Sequence, residues 1–217
     1  RSDFWKTEAP SINWNETMKD SRKRRITEFT VFSKPWKDLS LAELAGKIRT
    51  LGFSGIELPV RSGFQVQPNR IAQDLPEAVR IFREEGLKIG SVATEPNTET
   101  IRALGEANVP ILRTLVKVPE GASYIKTMDA AISQFESLVP VLEDTGVMIG
   151  IQNHCDREVS STMGLRYLVQ PFDPKHVGAV LDIGHCGLAG ETPDLALDMV
   201  ESHLCLVNFK NACRIRT

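Results

Sequence analysis

The chain has 217 residues, enough for one sizeable domain or two small ones. Its composition, 41% hydrophobic and 25% charged, is that of a soluble globular protein, and no apolar run approaches the about 20 residues needed to span a bilayer. The formal net charge of −2 argues against a nucleic-acid-binding face.

Residues 1–24 read as a polar tail without an apolar period, in which Trp5 and Trp14 can serve as a strap. Asn15-Glu16-Thr17 fits the glycosylation sequon, a pattern common by chance. "SRKRRI" (Ser21–Ile26) reads as a solvated lead-in. The chain begins at Arg1 rather than Met; a cleaved leader and simple trimming both produce this, so cytoplasmic and exported locations stay open.

From residue 25 to 217 short β-rich runs alternate with longer helical stretches, the pattern of βαβ units and a parallel sheet. The expected strands are "ITEFTVF" (Ile26–Phe32), "GIELPV" (Gly55–Val60), "KIGSVAT" (Lys88–Thr94), "ILRTLVKV" (Ile111–Val118), "VMIGIQNH" (Val147–His154), "VGAVLDIGH" (Val177–His185) and "LCLVNFK" (Leu204–Lys210). A Gly-rich turn is expected after His185.

Between them, "LSLAELAGKIRTLGF" opens on Ser40 as N-cap and closes at Gly52. "LPEAVRIFREEGLK" closes at Gly86, and "TETIRALGEANV" follows. "TMDAAISQFESLVPVLEDTGV" contains Pro140, where a kink or break is expected. "TPDLALDMVESHL" starts at Thr192 with Pro193 in the first turn.

This rhythm suits a (β/α)8 TIM barrel. The competing doubly wound sheet usually carries a Gly-rich loop after its first strand, whereas "SKPWKDLS" has no glycine. Seven strands are visible, so the barrel reads as truncated after the seventh, its C-terminal strand missing. The four cysteines form no CxxC pair and read as small buried hydrophobes rather than a zinc site or disulfides.

In such barrels the chemistry sits at the C-terminal ends of strands. Those ends carry Glu57, with Arg61 beyond; Thr94 and Glu95; Arg113 and Lys117; Gln152 and His154, with Glu158 beyond; Asp182 and His185; and Asn208 and Lys210, with Arg214 beyond. A buried carboxylate such as Asp182 needs a cation, a metal or several donors. A purely structural pairing with Lys210 stays open beside the functional reading.

"GFSGIEL", "IGIQNH", "VGAVLDIGH" and "LCLVNFKNACR" together resemble the xylose isomerase-like barrels. More narrowly they are similar to the sugar phosphate isomerase/epimerase group, with its tagatose-type epimerases and inosose dehydratases. The resemblance runs from Ile26 to Arg214. It implies a divalent metal (Mn, Mg, Co or Zn) held by a Glu on strand five, an Asp on strand six, a His on strand seven and a Glu on strand eight. It also implies a His contacting substrate three residues after the Asp.

Asp182 and His185 match that set, while Gln152 and Asn208 stand where the Glu and the His belong. The metal set carried over is therefore Asp182, Gln152 and Asn208. Glu158 and Arg214 fall where epimerases carry substrate-contacting residues, and Lys210 and Trp36 are further candidates for the substrate. Gln152 accepts no proton, which removes a two-carboxylate epimerisation and leaves His154, His185 and Glu158 as candidate bases.

The implied function is a sugar or sugar-phosphate isomerase or epimerase, or a dehydratase-lyase, working by metal-assisted enolisation or dehydration. The alternative is a metal-free relative that binds a small carbohydrate without isomerase activity. An endonuclease-like relative is disfavoured by four histidines and the negative charge. The expected partner is a small carbohydrate, with no nucleic acid and no membrane; homo-oligomerisation stays open.

Overall fold

The computed structural model describes residues 28–210 and residue 212. Its single sheet holds seven parallel strands in chain order. They are β1 (Thr30–Phe32), β2 (Gly55–Pro59), β3 (Lys88–Ala93), β4 (Ile111–Thr114), β5 (Met148–Gln152), β6 (Val177–Asp182) and β7 (Leu204–Asn208). The helices are α1 (Leu41–Leu51), α2 (Ile71–Glu84), α3 (Thr98–Glu106), α4 (Tyr124–Thr145), α5 (Thr162–Val169), α6 (Ile183–Ala189) and α7 (Pro193–Val200). Parallel neighbours joined in sequence by helices make the α/β TIM-barrel-like fold, here with seven strands. The polar tail, the sequon, residues 26–27, Cys213 and Arg214 lie outside the described residues.

The termini of α1 follow from local chemistry. Ser40 Oγ accepts the Glu43 N–H, the Glu43 carboxylate accepts the Ser40 N–H at 2.8 Å, and Gly52 closes the helix at φ 82°. Thr192 and Pro193 begin α7 as expected. In contrast, α4 runs unbroken through Pro140. Pro140 and Glu136 are both exposed, so water can take the carbonyl that the ring leaves unbonded, while Leu138, Val141 and Leu142 hold the helix on the core. The sequence reading starts α2 a turn late and misses α5 and α6 altogether.

The strands are shorter than the apolar runs suggest. The fourth stops at Thr114, leaving Lys117 in a loop, and the sixth stops at Asp182, so that Ile183–His185 open α6 instead of ending the strand, and the helix runs on to Ala189 in place of the expected Gly-rich turn. Side chains alternate across the sheet, and the two faces differ sharply. Ile56, Leu58, Val92, Leu112, Ile149, Ile151, Ala179 and Leu181 belong to the buried core shared with the helices. The alternate positions, Glu57, Ser91, Arg113, Gln152 and Asp182, are buried and polar, and the strand registers put them on the other face.

Cys155, Cys186 and Cys205 are free thiols, as expected, but only Cys186 is fully buried. Burial pushes the Cys186 thiol up to about 11.

Candidate functional site

Two polar assemblies fill this inner face. The first lies across β2, β3 and β4. Arg113 donates through Nε to both Glu57 oxygens (3.2 and 3.1 Å) and through its terminal nitrogen to Oε1 at 2.5 Å. Ser91 Oγ donates to Oε2 at 3.0 Å, and the guanidinium lies 5.0 Å from the centre of the Phe32 ring. Glu57 therefore sits within its strand as half of a buried ion pair rather than at the rim. Above this pair opens a pocket of about 340 Å3 lined by Arg61, Thr94, Glu95, Asn97 and Arg113.

The second assembly stands at the C-terminal ends of β5, β6 and β7. Asp182, 1% exposed, is the N-cap of α6: its Oδ1 accepts the backbone N–H of His185 at 3.1 Å. Its Oδ2 accepts Gln152 Nε2 at 2.7 Å and lies 2.9 Å from Lys210 Nζ. Because a carboxylate only accepts, the Gln152 amide must turn its NH2 toward Asp182 and its carbonyl away.

His185, also buried, meets donors on two sides. Its Nδ1 is 3.2 Å from the Cys155 backbone nitrogen and its Nε2 is 2.5 Å from Lys210 Nζ; a neutral ring accepts at one of these nitrogens and carries its proton on the other. Burial pushes the imidazolium of His185 down from its ordinary range; Asp182 opposes this, and the nearby His154 and Lys210 reinforce it. Burial thus favours the neutral ring.

His154 packs against it at a tilt, with ring centroids 3.9 Å apart and ring planes at 47°. Glu158 Oε2 lies 3.5 Å from His154 Nδ1, brought there by a tight loop closed by the His154 N–H to Val159 C=O bond. That loop is clasped to the loop after β4 through Val118 N–H to Arg157 C=O and Val159 N–H to Val116 C=O.

The structure thus joins Gln152, Asp182, Lys210, His185, His154 and Glu158 in one run of contacts. Asn208 lies in register with Asp182 and is half-buried, but the β7-side group that reaches the carboxylate is Lys210, just past the strand. Trp36 is placed elsewhere, against the apolar core in the turn after β1 with Lys47 Nζ 5.6 Å from its ring centre.

Sequence reasoning misses Asn153. It is fully buried, accepts the Asp182 N–H at 2.7 Å through Oδ1 and donates to the Asp182 C=O at 3.2 Å. The missed signal is its position between two site residues in "QNH", where strand alternation turns its side chain away from theirs.

A divalent cation at Asp182, Gln152 and Asn208 does not fit this donor set. It offers one carboxylate, whose inward oxygen already accepts an amide and meets an ammonium, and the Gln152 carbonyl faces away. Two further groupings bring ligand-type atoms within 4.8 Å of one another: His154, Cys155 and His185, and His154, Asp156 and Glu158.

The family described as xylose isomerase-like TIM barrel matches residues 45–214. No curated protein matches the chain. Solved structures similar to it in fold include a 3-keto-glucoside epimerase, a psicose epimerase and a dehydratase. The 3-keto-D-glucoside 4-epimerase YcjR from E. coli is 14% identical with a TM-score of 0.69, covering 83% of this chain and 78% of that one. D-psicose 3-epimerase from Clostridium cellulolyticum H10, solved with D-tagatose, is 11% identical with a TM-score of 0.68, covering 83% and 72%. The probable 3-DHS dehydratase AsbF from Bacillus anthracis is 14% identical with a TM-score of 0.68, covering 85% and 73%. Among the described residues no helix is long and apolar enough to cross a membrane.

Proposed function

The chain belongs to the xylose isomerase-like TIM barrel family, and on that premise we propose that it acts on a small carbohydrate as an isomerase or epimerase. The proton would move at the carbon beside the sugar's carbonyl. The observation that carries this reading is the contact of His185 Nε2 with Lys210 Nζ, 2.5 Å apart above a buried carboxylate. A neutral imidazole with its proton on Nδ1 can take a proton at Nε2 once Lys210 has turned from the ring to the substrate, and the ammonium can then donate to the oxygen on which enolate charge develops.

Each group has a part. Lys210 binds the carbonyl oxygen, Asp182 holds Lys210 in place, and His185 is the base. His154 and Glu158 extend the polar run and can pass the proton on. Gln152 accepts no proton, so the return of the proton falls to His185 or to the run through His154 and Glu158. The pocket beside Arg61 and Glu95 is of the size that small ligands occupy, about 300–1,000 Å3, and would hold the hydroxyl-bearing remainder of the sugar.

The test is exchange in heavy water. A panel of ketoses and aldoses, free and phosphorylated, is incubated with the full chain and followed by proton NMR. Deuterium entering the carbon beside the carbonyl, and failing to enter with His185→Gln, supports the reading. Saturable binding without exchange supports instead a carbohydrate-binding barrel without turnover, which the fixed hydrogen bond from Gln152 to Asp182 favours.

A further inference from the structure

We propose that Lys210 is a built-in cation: its ammonium occupies the seat at Asp182 Oδ2 that a divalent metal would need, and so the chain neutralises this buried carboxylate from within. Three observations point the same way. The inward oxygen of Asp182, a residue 1% exposed, is 2.9 Å from Lys210 Nζ. Gln152 turns a donor, not an acceptor, toward that oxygen at 2.7 Å. The lysine stem also has a shaped bed: a Cβ on Gly184 would lie 2.7 Å from Lys210 Cγ and 3.1 Å from its carbonyl oxygen, so only glycine lets the stem cross α6 there.

A metal entering this seat must evict the ammonium and turn the Gln152 amide over. It would then meet a single carboxylate beside a displaced positive charge. The ammonium, in contrast, has Asp182 beneath it and His185 beside it, and the Lys210 side chain is 40% exposed toward the mouth. It is the group placed to meet a substrate oxygen where a metal would otherwise do so. That last step rests on the carbohydrate reading; the occupation of the seat does not.

The experiment is Mn2+ binding by the full chain, read from the paramagnetic signal of free Mn2+ during titration. The proteins are wild type, Lys210→Met, Lys210→Arg, and Lys210→Met combined with Asp182→Asn. Met keeps the apolar stem on Gly184 and removes the charge, and circular dichroism checks the fold of each. Lys210→Met should bind Mn2+ at least about tenfold more tightly than wild type, because a like charge has left the seat. The gain should vanish with Asp182→Asn, and Lys210→Arg should stay as weak as wild type.

Equal affinity of wild type and Lys210→Met would overturn the proposal, as would stoichiometric binding by wild type that is lost on Asp182→Asn. Binding that is insensitive to both residues is one form of that equality, with the ion held elsewhere, and overturns the proposal as well. Should the sugars fail to exchange while the Mn2+ pattern holds, the carbohydrate reading falls and the lysine seat stands.

Discussion

Arg113 and Glu57, on strands separated by one other, form a two-pronged ion pair inside the sheet, with side chains 6% and 8% exposed. Removing one partner leaves an unpaired charge buried within the sheet, beneath the pocket that Arg113 lines. Arg113→Ala should therefore cost about 3–5 kcal/mol of unfolding free energy. The combined Glu57→Gln, Arg113→Met protein should recover much of that loss. Urea unfolding of wild type, Arg113→Ala and the double variant checks both statements; a double variant as unstable as Arg113→Ala would contradict them.

Asn153 is predicted to act on the site through Asp182. Its side chain replaces backbone partners for both the N–H and the C=O of that residue. Asn153→Ala leaves two buried polar groups unsatisfied, at about 1–3 kcal/mol each. The expected result is a lower melting temperature together with weaker sugar binding, whereas Asn153→Asp should restore the Asp182 N–H bond alone and recover part of the stability. A variant as stable as wild type would remove Asn153 from this role.

Gly184 is predicted to be essential to the placing of Lys210. Gly184→Ala puts a methyl into the path of the lysine stem and its backbone. The ammonium should leave Asp182, and the Mn2+ affinity of Gly184→Ala should move toward that of Lys210→Met. The check is the same titration on Gly184→Ala; an affinity unchanged from wild type would contradict the prediction.

The pH dependence of stability follows from His185. Its folded pKa lies below the ordinary value of about 6.5, chiefly through burial. As the pH falls below 6.5, the unfolded chain takes up a proton at this position before the folded one does, and by linkage folding loses stability. The contribution is intact above pH 6.5 and is lost as the pH falls through the folded pKa. Thermal melts from pH 7.5 to 5 should show wild type losing more than His185→Gln. Parallel curves would mean that the imidazole is not held neutral.

Much of the fold is legible in the chain, because βαβ architecture repeats one local rule. Ser40, Gly52 and Pro193 mark helix ends by chemistry that acts within a turn, and each operates as read, while Thr192 takes the N-cap position without a side-chain hydrogen bond. Strand lengths are not legible in the same way. "VGAVLDIGH" stays apolar past Asp182, yet the Asp side chain caps the next residues and turns them into α6. Gly184 and Gly187 disguise that helix, since their low helix propensity is outweighed by the cap and the packing of Cys186.

The site was half legible. Asp182, His185, His154, Glu158, Gln152 and Lys210 stand out as polar residues at strand ends, and they do converge. What the sequence hides is who faces whom. Glu57 looks like a rim residue, but strand register hands it to Arg113, 56 positions away. Asn208 looks like the seventh-strand ligand, yet two residues further on the longer Lys210 side chain reaches the carboxylate instead. Such choices depend on side-chain reach across the sheet, which spacing alone does not encode.

The most direct test of the central claim is a crystal structure of the full chain soaked with a ketose that it binds. The sugar's carbonyl oxygen should lie within hydrogen-bond reach of Lys210 Nζ, with an adjacent carbon facing the His185 ring and the remaining hydroxyls toward Arg61 and Glu95. A ketose seated away from Lys210 and His185, or bound through a cation at Asp182, would contradict the account.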